Sequence, residues 1–89
     1  MRIEPVEIYS DQTNAAVLRH PERQFPGVLL QGDTLHALCW RLDESIRHLN
    51  QDSPAYTHLN HVRNALWSLK NEYKSVLVEH DLPMPFSEE

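Results

Sequence analysis

The first third of the chain alternates apolar and polar residues in the manner of short β-strands. In "EPVEIYS", Val6 and Ile8 alternate with polar neighbours, and "NAAVLRH" repeats the alternation around Val17. A period of two residues is typical of partly buried strands. The linker "SDQTN" is rich in turn formers, so we expect the two strands to pair as an antiparallel hairpin. After "HPERQFPG", the run "VLLQ" at 28–31 is short and apolar enough for a third strand.

The second part of the chain has the periodicity of two helices. From Thr34 to about Asn50, apolar residues recur every three or four positions. This stripe comprises Leu35, Leu38, Cys39, Leu42, Ile46 and Leu49. A second helix is predicted over about 54–80, with Ser53 as its N-cap and Pro54 at its first position. Its stripe, expected to form the helix–helix seam, comprises Leu59, Val62, Leu66, Leu69, Tyr73 and Val76.

Together these elements predict an α+β fold in one domain, 1–89. A small antiparallel β-sheet of two or three strands, within about 3–31, is followed by an antiparallel two-helix hairpin that covers one sheet face. The alternative is a helical hairpin that carries a β-ribbon and is completed by dimerisation. Pro83 and Pro85 should end the second helix, and residues 83–89 are predicted to be a loose tail.

The two glycines of the chain lie in "RQFPGVLLQGDTL" and raise the question of a phosphate site. Pro26–Gly27 is a preferred pair for the centre of a type II turn, and Gly32 precedes two candidate helix caps, Asp33 and Thr34. A phosphate cradle usually needs more glycines or a Lys-Ser/Thr pair, and Asp33 would repel the anion. The stretch therefore indicates a turn and a cap.

Composition restricts the classes of partner and location. The net charge of −5 disfavours nucleic acid and favours a basic protein partner. No apolar run approaches the ~18 residues of a membrane span, and the N-terminus has no secretion-signal pattern. A single cysteine agrees with a reducing compartment, so we expect a cytoplasmic protein. No cofactor motif is present.

Two groups of residues carry weak chemical signals. His36, Cys39 and Asp43 superficially compose a base, nucleophile and orienter, but three side chains on one helix point outward in parallel instead of converging on a cavity. We therefore predict no catalytic residues. His58 and His61 have a spacing that lets two imidazoles reach one metal ion, and His48 is a third candidate ligand.

The tryptophans point to a protein-binding face. Around their predicted helices, Trp40 and Trp67 both fall outside the helix–helix seam, and Trp67 shares its flank with basic and aromatic residues. The alternative is that each tryptophan packs within the fold. With the loop at Phe25, the predicted partner-binding residues are Phe25, Trp40, Tyr56, Arg63, Trp67, Lys70 and Lys74. The same helix flank is also able to pair with a second copy, which makes a homo-oligomer an alternative.

The block "RQFPGVLLQGDTL", with "VEIYSD" and "NAAVLRHP", resembles a family of small bacterial proteins of unknown function. The resemblance covers about the first 38 residues and implies that Arg23, Phe25, Gln31 and Asp33 belong to a recurring turn or surface structure. It implies no activity or substrate. The sequence thus favours a non-enzymatic interaction or accessory domain with a regulatory or toxin-neutralising role. The alternative is a metal- or small-molecule-binding module that uses His48, His58 and His61.

Overall fold

A computed structural model describes residues 1–87 of the chain. The order of elements is three strands and then two helices, which confirms the predicted α+β fold. The contacts divide the chain into two compact units: Met1–Gln31 contains the strands, and the segment from Gly32 onward contains both helices. Neither helix within the described part combines the length and apolar character that crossing a membrane requires.

The first unit is a three-stranded antiparallel sheet in the order β1-β2-β3. Strand β1 runs Glu7–Ser10, β2 runs Ala16–Arg19 and β3 runs Gly27–Leu29. The register places Glu7 opposite Arg19, and their side chains form an ion pair across the two strands. A bulge follows Ile8, where the pairing of β1 with β2 shifts by one residue. The third strand, whose pairing the sequence does not determine, therefore joins the sheet.

The turn before β3 does not use the Pro-Gly pair. The amide of Arg23 donates to the carbonyl of His20 at 3.1 Å, and Glu22 has a φ of 72°. These features place Pro21 and Glu22 at the centre of the type II turn, because its third residue needs a positive φ. Gly27 has no positive φ and is the first residue of β3. The prediction of a type II turn at Pro26–Gly27 is therefore wrong.

Specific hydrogen bonds mark the end of the first helix and the start of the second, whereas Asp33 and Thr34 lie inside the first helix, so the prediction that one of them caps this helix is wrong. Helix α1 spans Gly32–Ile46, and its last turn tightens when the Leu49 amide donates to the Ile46 carbonyl at 2.9 Å, which ends it before the expected Asn50. Helix α2 spans Pro54–Glu79. The Ser53 hydroxyl accepts from the Tyr56 amide at 3.1 Å, so the predicted N-cap is confirmed.

The end of α2 is a Schellman motif that precedes the prolines. Asp81 has a φ of 56° and donates its amide to Val78, while the Leu82 amide reaches the Leu77 carbonyl at 2.9 Å. These are the two bonds that satisfy the last carbonyls of a helix. The chain therefore leaves the helix through a left-handed aspartate at 81, before it reaches Pro83.

The core of the second unit lies between α1 and α2. It is small: within residues 1–87, four apolar residues are buried, namely Leu35, Cys39, Ile46 and Leu77. Gly32 lies against this interface, where a Cβ would come 2.2 Å from the ring of Tyr73. Glycine at position 32 thus permits the close approach of the Tyr73 ring. It is not needed there for an unusual backbone conformation.

The predicted seam of α2 is only half correct. Leu59, Leu66 and Tyr73 are partly buried, whereas Val62, Leu69 and Val76 remain 46, 54 and 44% exposed. The face that meets α1 is rotated toward Trp67, Lys70 and Leu77. The spacing of apolar residues does not predict this rotation, because α2 carries apolar residues on more than one face.

The described part of the tail packs on the helices through one aromatic side chain. Phe86 stacks on His36 with ring centroids 4.3 Å apart and planes 5° from parallel. The Tyr73 ring lies 6.4 Å away, and the Lys70 ammonium is 5.2 Å from the Phe86 ring centre. The expectation of a loose tail is therefore wrong around Phe86, and residues 88 and 89 lie outside the described part.

Candidate interaction surface

The sheet unit contains an apolar concavity beside strand β3. Its volume is about 290 Å³. The lining residues are Leu18, His20, Arg23, Phe25, Gly27, Val28 and Leu29. Phe25 is 73% exposed, Val28 64% and Leu29 54%, so the concavity opens among side chains that face solvent. Of the seven lining residues, only Phe25 is among the contact residues predicted from the sequence.

Gly27 keeps one wall of this concavity open. A Cβ at Gly27 would meet nothing within 4 Å, so the space above this residue is empty. Gly27 pairs with Leu18 in the register of β2 and β3, and Leu29 pairs with Ala16 two residues along. Side chains alternate between faces along a strand, which puts Leu18 and Leu29 on the same face as this opening.

Arg23 is the cationic side chain in the lining of the concavity. The Arg19 guanidinium pairs with Glu7 and also donates to the Arg23 carbonyl at 3.0 Å, which fixes the turn against the sheet. The same contact with Glu7 raises the pKa of Arg19. Among the residues that the structure describes, no carboxylate pairs with the side chain of Arg23. A cation at the rim is therefore available to an acidic group of a partner.

The two edges of the sheet differ in their protection. Strand β1 carries a charged side chain at Glu7, which discourages pairing with another chain. A proline precedes each edge strand, Pro5 before β1 and Pro26 before β3, so proline does not distinguish the two edges. Strand β3 has the sequence GVL, continues into Leu30, and contains no charged residue. Its outer backbone groups are therefore the more accessible template for an added strand.

On the helical unit, most of the predicted contact stripe faces α1. The Trp67 indole Nε1–H donates to the Asp43 carboxylate oxygens at 3.2 and 3.1 Å. Arg63 approaches the same carboxylate at 3.8 Å. Lys70 is only 2% exposed, with its ammonium 4.1 Å from the centre of the Trp67 ring. The prediction that Trp67 lies outside the seam is therefore wrong.

The remaining predicted contact residues lie in different settings. Trp40 is 59% exposed on α1, as its position opposite the stripe predicted. Tyr56 is partly buried and donates its amide to the Ser53 cap. Lys74 is half-buried and lines an open depression of about 500 Å³ with Val78 and Met84. Trp40 is thus the one tryptophan of the pair that presents most of its ring to solvent.

The three candidate catalytic residues are not arranged as a working set. Cys39 is fully buried, and this burial raises the pKa of its thiol. Asp43 accepts from Trp67, and the ring of His36 stacks on Phe86. No hydrogen bond within residues 1–87 joins Cys39 to His36. The thiol therefore has the properties of a core residue.

The histidine positions do not form a metal-binding group. Among the described residues, no cluster of three or more His, Cys, Asp or Glu side chains is placed so that it could hold a metal ion. His48, His58 and His61 are all exposed. The structure does not bring these three side chains together as one ligand set.

Comparison with protein families matches residues 1–86 to a family of unknown function. The chain belongs to DUF6959. The match extends through both helices of this DUF6959 chain, well beyond the residues that carry the resemblance seen in the sequence. Neither the curated proteins nor the solved structures contain a match to it.

Proposed function

We propose that this DUF6959 chain is a non-enzymatic protein-interaction domain of the bacterial cytoplasm, with an accessory, regulatory or toxin-neutralising role. The observation that supports it is the exposed apolar concavity beside the unprotected edge of β3. Large exposed aromatic and aliphatic side chains are the anchors of protein interfaces. Phe25, Val28 and Leu29 provide such anchors within one short segment.

The bound segment is an extended strand of the partner. Its backbone pairs with the outer edge of β3, which adds a fourth strand to the sheet. One apolar side chain of that strand enters the concavity against Leu18 and Phe25. An acidic side chain next to it meets Arg23, and this local attraction operates although the whole chain carries −5.

The test is affinity capture from the source cell with quantitative mass spectrometry. Phe25→Ala and Leu29→Lys are compared with Tyr9→Ala and Ile8→Lys, which alter exposed residues of similar chemistry on strand β1. The proposal is supported if the wild type and both β1 variants retain a partner and both β3-side variants capture at least about tenfold less of it. The proposal is contradicted if the variants at both edges lose the partner equally, or if no variant loses it.

Trp40 is a second candidate contact on the helical unit because it is largely exposed. A Trp40→Ala variant in the same capture experiment tests it separately. Loss of a partner that survives Phe25→Ala would assign that partner to the helical unit. Retention of every partner by Trp40→Ala would remove Trp40 from the contact surface.

A further inference from the structure

His20 and Arg23 occupy the two ends of one tight turn beside the concavity of the sheet unit. The Arg23 amide donates to the His20 carbonyl at 3.1 Å, so they are the first and fourth residues of this turn. The Cα atoms at these two positions of a β-turn lie less than about 7 Å apart. Both residues are exposed, and both line a concavity whose other lining residues are apolar. Two side chains that carry nitrogen therefore share one part of an otherwise apolar site.

The imidazole of His20 has a defined tautomer when it is neutral. Its Nδ1 lies 2.7 Å from the carbonyl oxygen of Pro21, which only accepts hydrogen bonds. Nδ1 therefore carries a proton and donates it, which leaves a lone pair on Nε2 of the neutral ring. That lone pair repels a carboxylate oxygen. Protonation adds an N–H donor at Nε2 and a positive charge to the ring, so the protonated form is the one that attracts a carboxylate.

The charged groups around this histidine leave the site open to an anion. Strand β1 contributes Glu7 and Tyr9, and both interact with Arg19 of β2. Strand β3 has no titratable side chain. Among the residues that the structure describes, Glu22 of the same turn forms no ion pair with Arg23 or with the histidine. A protonated histidine thus adds a second positive charge beside Arg23.

We propose that His20 and Arg23 together bind the carboxylate of an acidic residue in the added strand, and that His20 strengthens this recognition as the pH falls. A guanidinium keeps its charge at every physiological pH, whereas an imidazole changes charge between pH 5 and 8. The ligand is an extended peptide with an acidic residue and, two positions away, an apolar residue that enters the concavity, because alternate side chains of a strand share a face. This inference rests on the proposed function, since it concerns the same concavity.

The first step of the test is selection from a displayed library of random linear heptapeptides on the immobilised full chain, at about pH 6 and about pH 8. Peptides that bind Phe25→Ala equally well are discarded, so the remaining peptides depend on the concavity. We expect these to contain an apolar residue and an acidic residue two positions apart, with stronger enrichment of the acidic residue at the lower pH. A glutamate titrates near pH 4.3, so its own carboxylate is ionised at both pH values.

The second step measures the affinity of one selected acidic peptide, and of the same peptide with glutamine at the acidic position. The wild type should bind the acidic peptide about fivefold more tightly at the lower pH, since the ion pair is exposed to solvent. His20→Gln should abolish this pH dependence, whereas His20→Arg should bind tightly at both pH values because its charge does not titrate. His48→Gln is the matched control, an exposed histidine of the helical unit, and should keep the pH dependence.

The inference and the proposed function fail in different ways. The carboxylate site is overturned, and strand binding remains, if peptides that depend on Phe25 lack an acidic residue or if His20→Gln retains the pH dependence. Both are overturned if neither pH yields a peptide that depends on Phe25. The glutamine peptide checks the fold, because a folded His20→Gln chain should bind it as the wild type does. If that variant fails the check, His20→Arg decides, and a pH dependence that persists in it overturns the inference.

Discussion

The Trp67 indole donates a hydrogen bond to the Asp43 carboxylate across the helical hairpin, with distances of 3.2 and 3.1 Å to its two oxygens. Lys70 lies over the other part of the same indole, 4.1 Å from the ring centre. The tryptophan therefore has an anion at its N–H edge and a cation at its face, which is the arrangement that the charge distribution of an indole favours.

Loss of this hydrogen bond should destabilise the helical unit. We expect Trp67→Phe to lower the free energy of unfolding by about 1–2 kcal/mol, since a bond to a charged acceptor is removed at a partly exposed site. Chemical denaturation followed by far-UV circular dichroism measures this change. Trp40→Phe is the control, because Trp40 is exposed and makes no such bond within the described residues. Equal effects of the two substitutions would contradict the assigned role of Asp43.

The left-handed conformation of Glu22 leads to a second prediction, for the sheet unit. A residue with a side chain is strained at a φ of 72°, whereas glycine adopts this conformation readily. Glu22→Gly should therefore stabilise the turn by up to about 1 kcal/mol, after the extra flexibility of glycine in the unfolded chain is subtracted. Slower hydrogen exchange of the β2 amides would show it.

The control for that prediction is Gln24→Gly in the same loop. Gln24 has no positive φ, so glycine relieves no strain there and only adds flexibility to the unfolded chain. We expect unchanged or faster exchange in this variant. If both substitutions slow exchange equally, the effect does not arise from the backbone conformation at Glu22.

Local patterns predicted the elements of this fold well. The period of two around Ile8 and Val17 gave the first hairpin, and Ser53 followed by Pro54 located the start of α2. These signals depend on backbone geometry and on residues close in sequence. They hold whatever the element later packs against.

The faces of α2 were harder to predict, because the helix has two overlapping apolar stripes. Val62 and Leu69 follow the same three-and-four spacing as Leu59 and Leu66, so hydrophobicity alone does not select between them. The choice depends on contacts with other elements: Asp43 attracts Trp67, and the Lys70 ammonium lies between two aromatic rings. A lysine with only 2% exposure contradicts the usual reading of a charged residue as surface.

The candidate surface on the sheet also depended on features that sequence patterns do not encode. Phe25 was identified from its loop, but the concavity requires Leu18 and Leu29 from two paired strands. The pairing of β3 was not determined by sequence, so its register was unknown. Once β3 is placed beside β2, the open space at Gly27 follows from its missing side chain.

Phe86 provides a third prediction, for the tail. Its ring contacts His36, Tyr73 and Lys70, so Phe86→Ala should lower the free energy of unfolding by about 2 kcal/mol, less than for a fully buried phenylalanine. It should also increase cleavage of the tail by a nonspecific protease. Ser87→Ala is the control, because Ser87 is exposed. A tail that is equally protected in both variants would contradict the assigned contacts of Phe86.

The buried thiol of Cys39 leads to a fourth prediction, on pH. Burial raises the pKa of Cys39 in the folded chain, so the folded state holds the thiol proton more tightly than the unfolded state. The stability from this group is fully present below the unfolded pKa, about 8.5. It is lost as pH rises from there toward the raised folded pKa. The slope is at most about 1.4 kcal/mol per pH unit.

The measurement is the free energy of unfolding of the wild type and Cys39→Ala between pH 7 and 10. The two proteins share every titratable group except the thiol, so the difference between the two curves isolates it. That difference should change in the alkaline range and stay constant near neutrality. A thiol reagent should also label native Cys39 at least about a hundredfold more slowly than the unfolded chain, because labelling requires opening of the helical core. Parallel curves together with rapid native labelling would show that Cys39 lies outside the core.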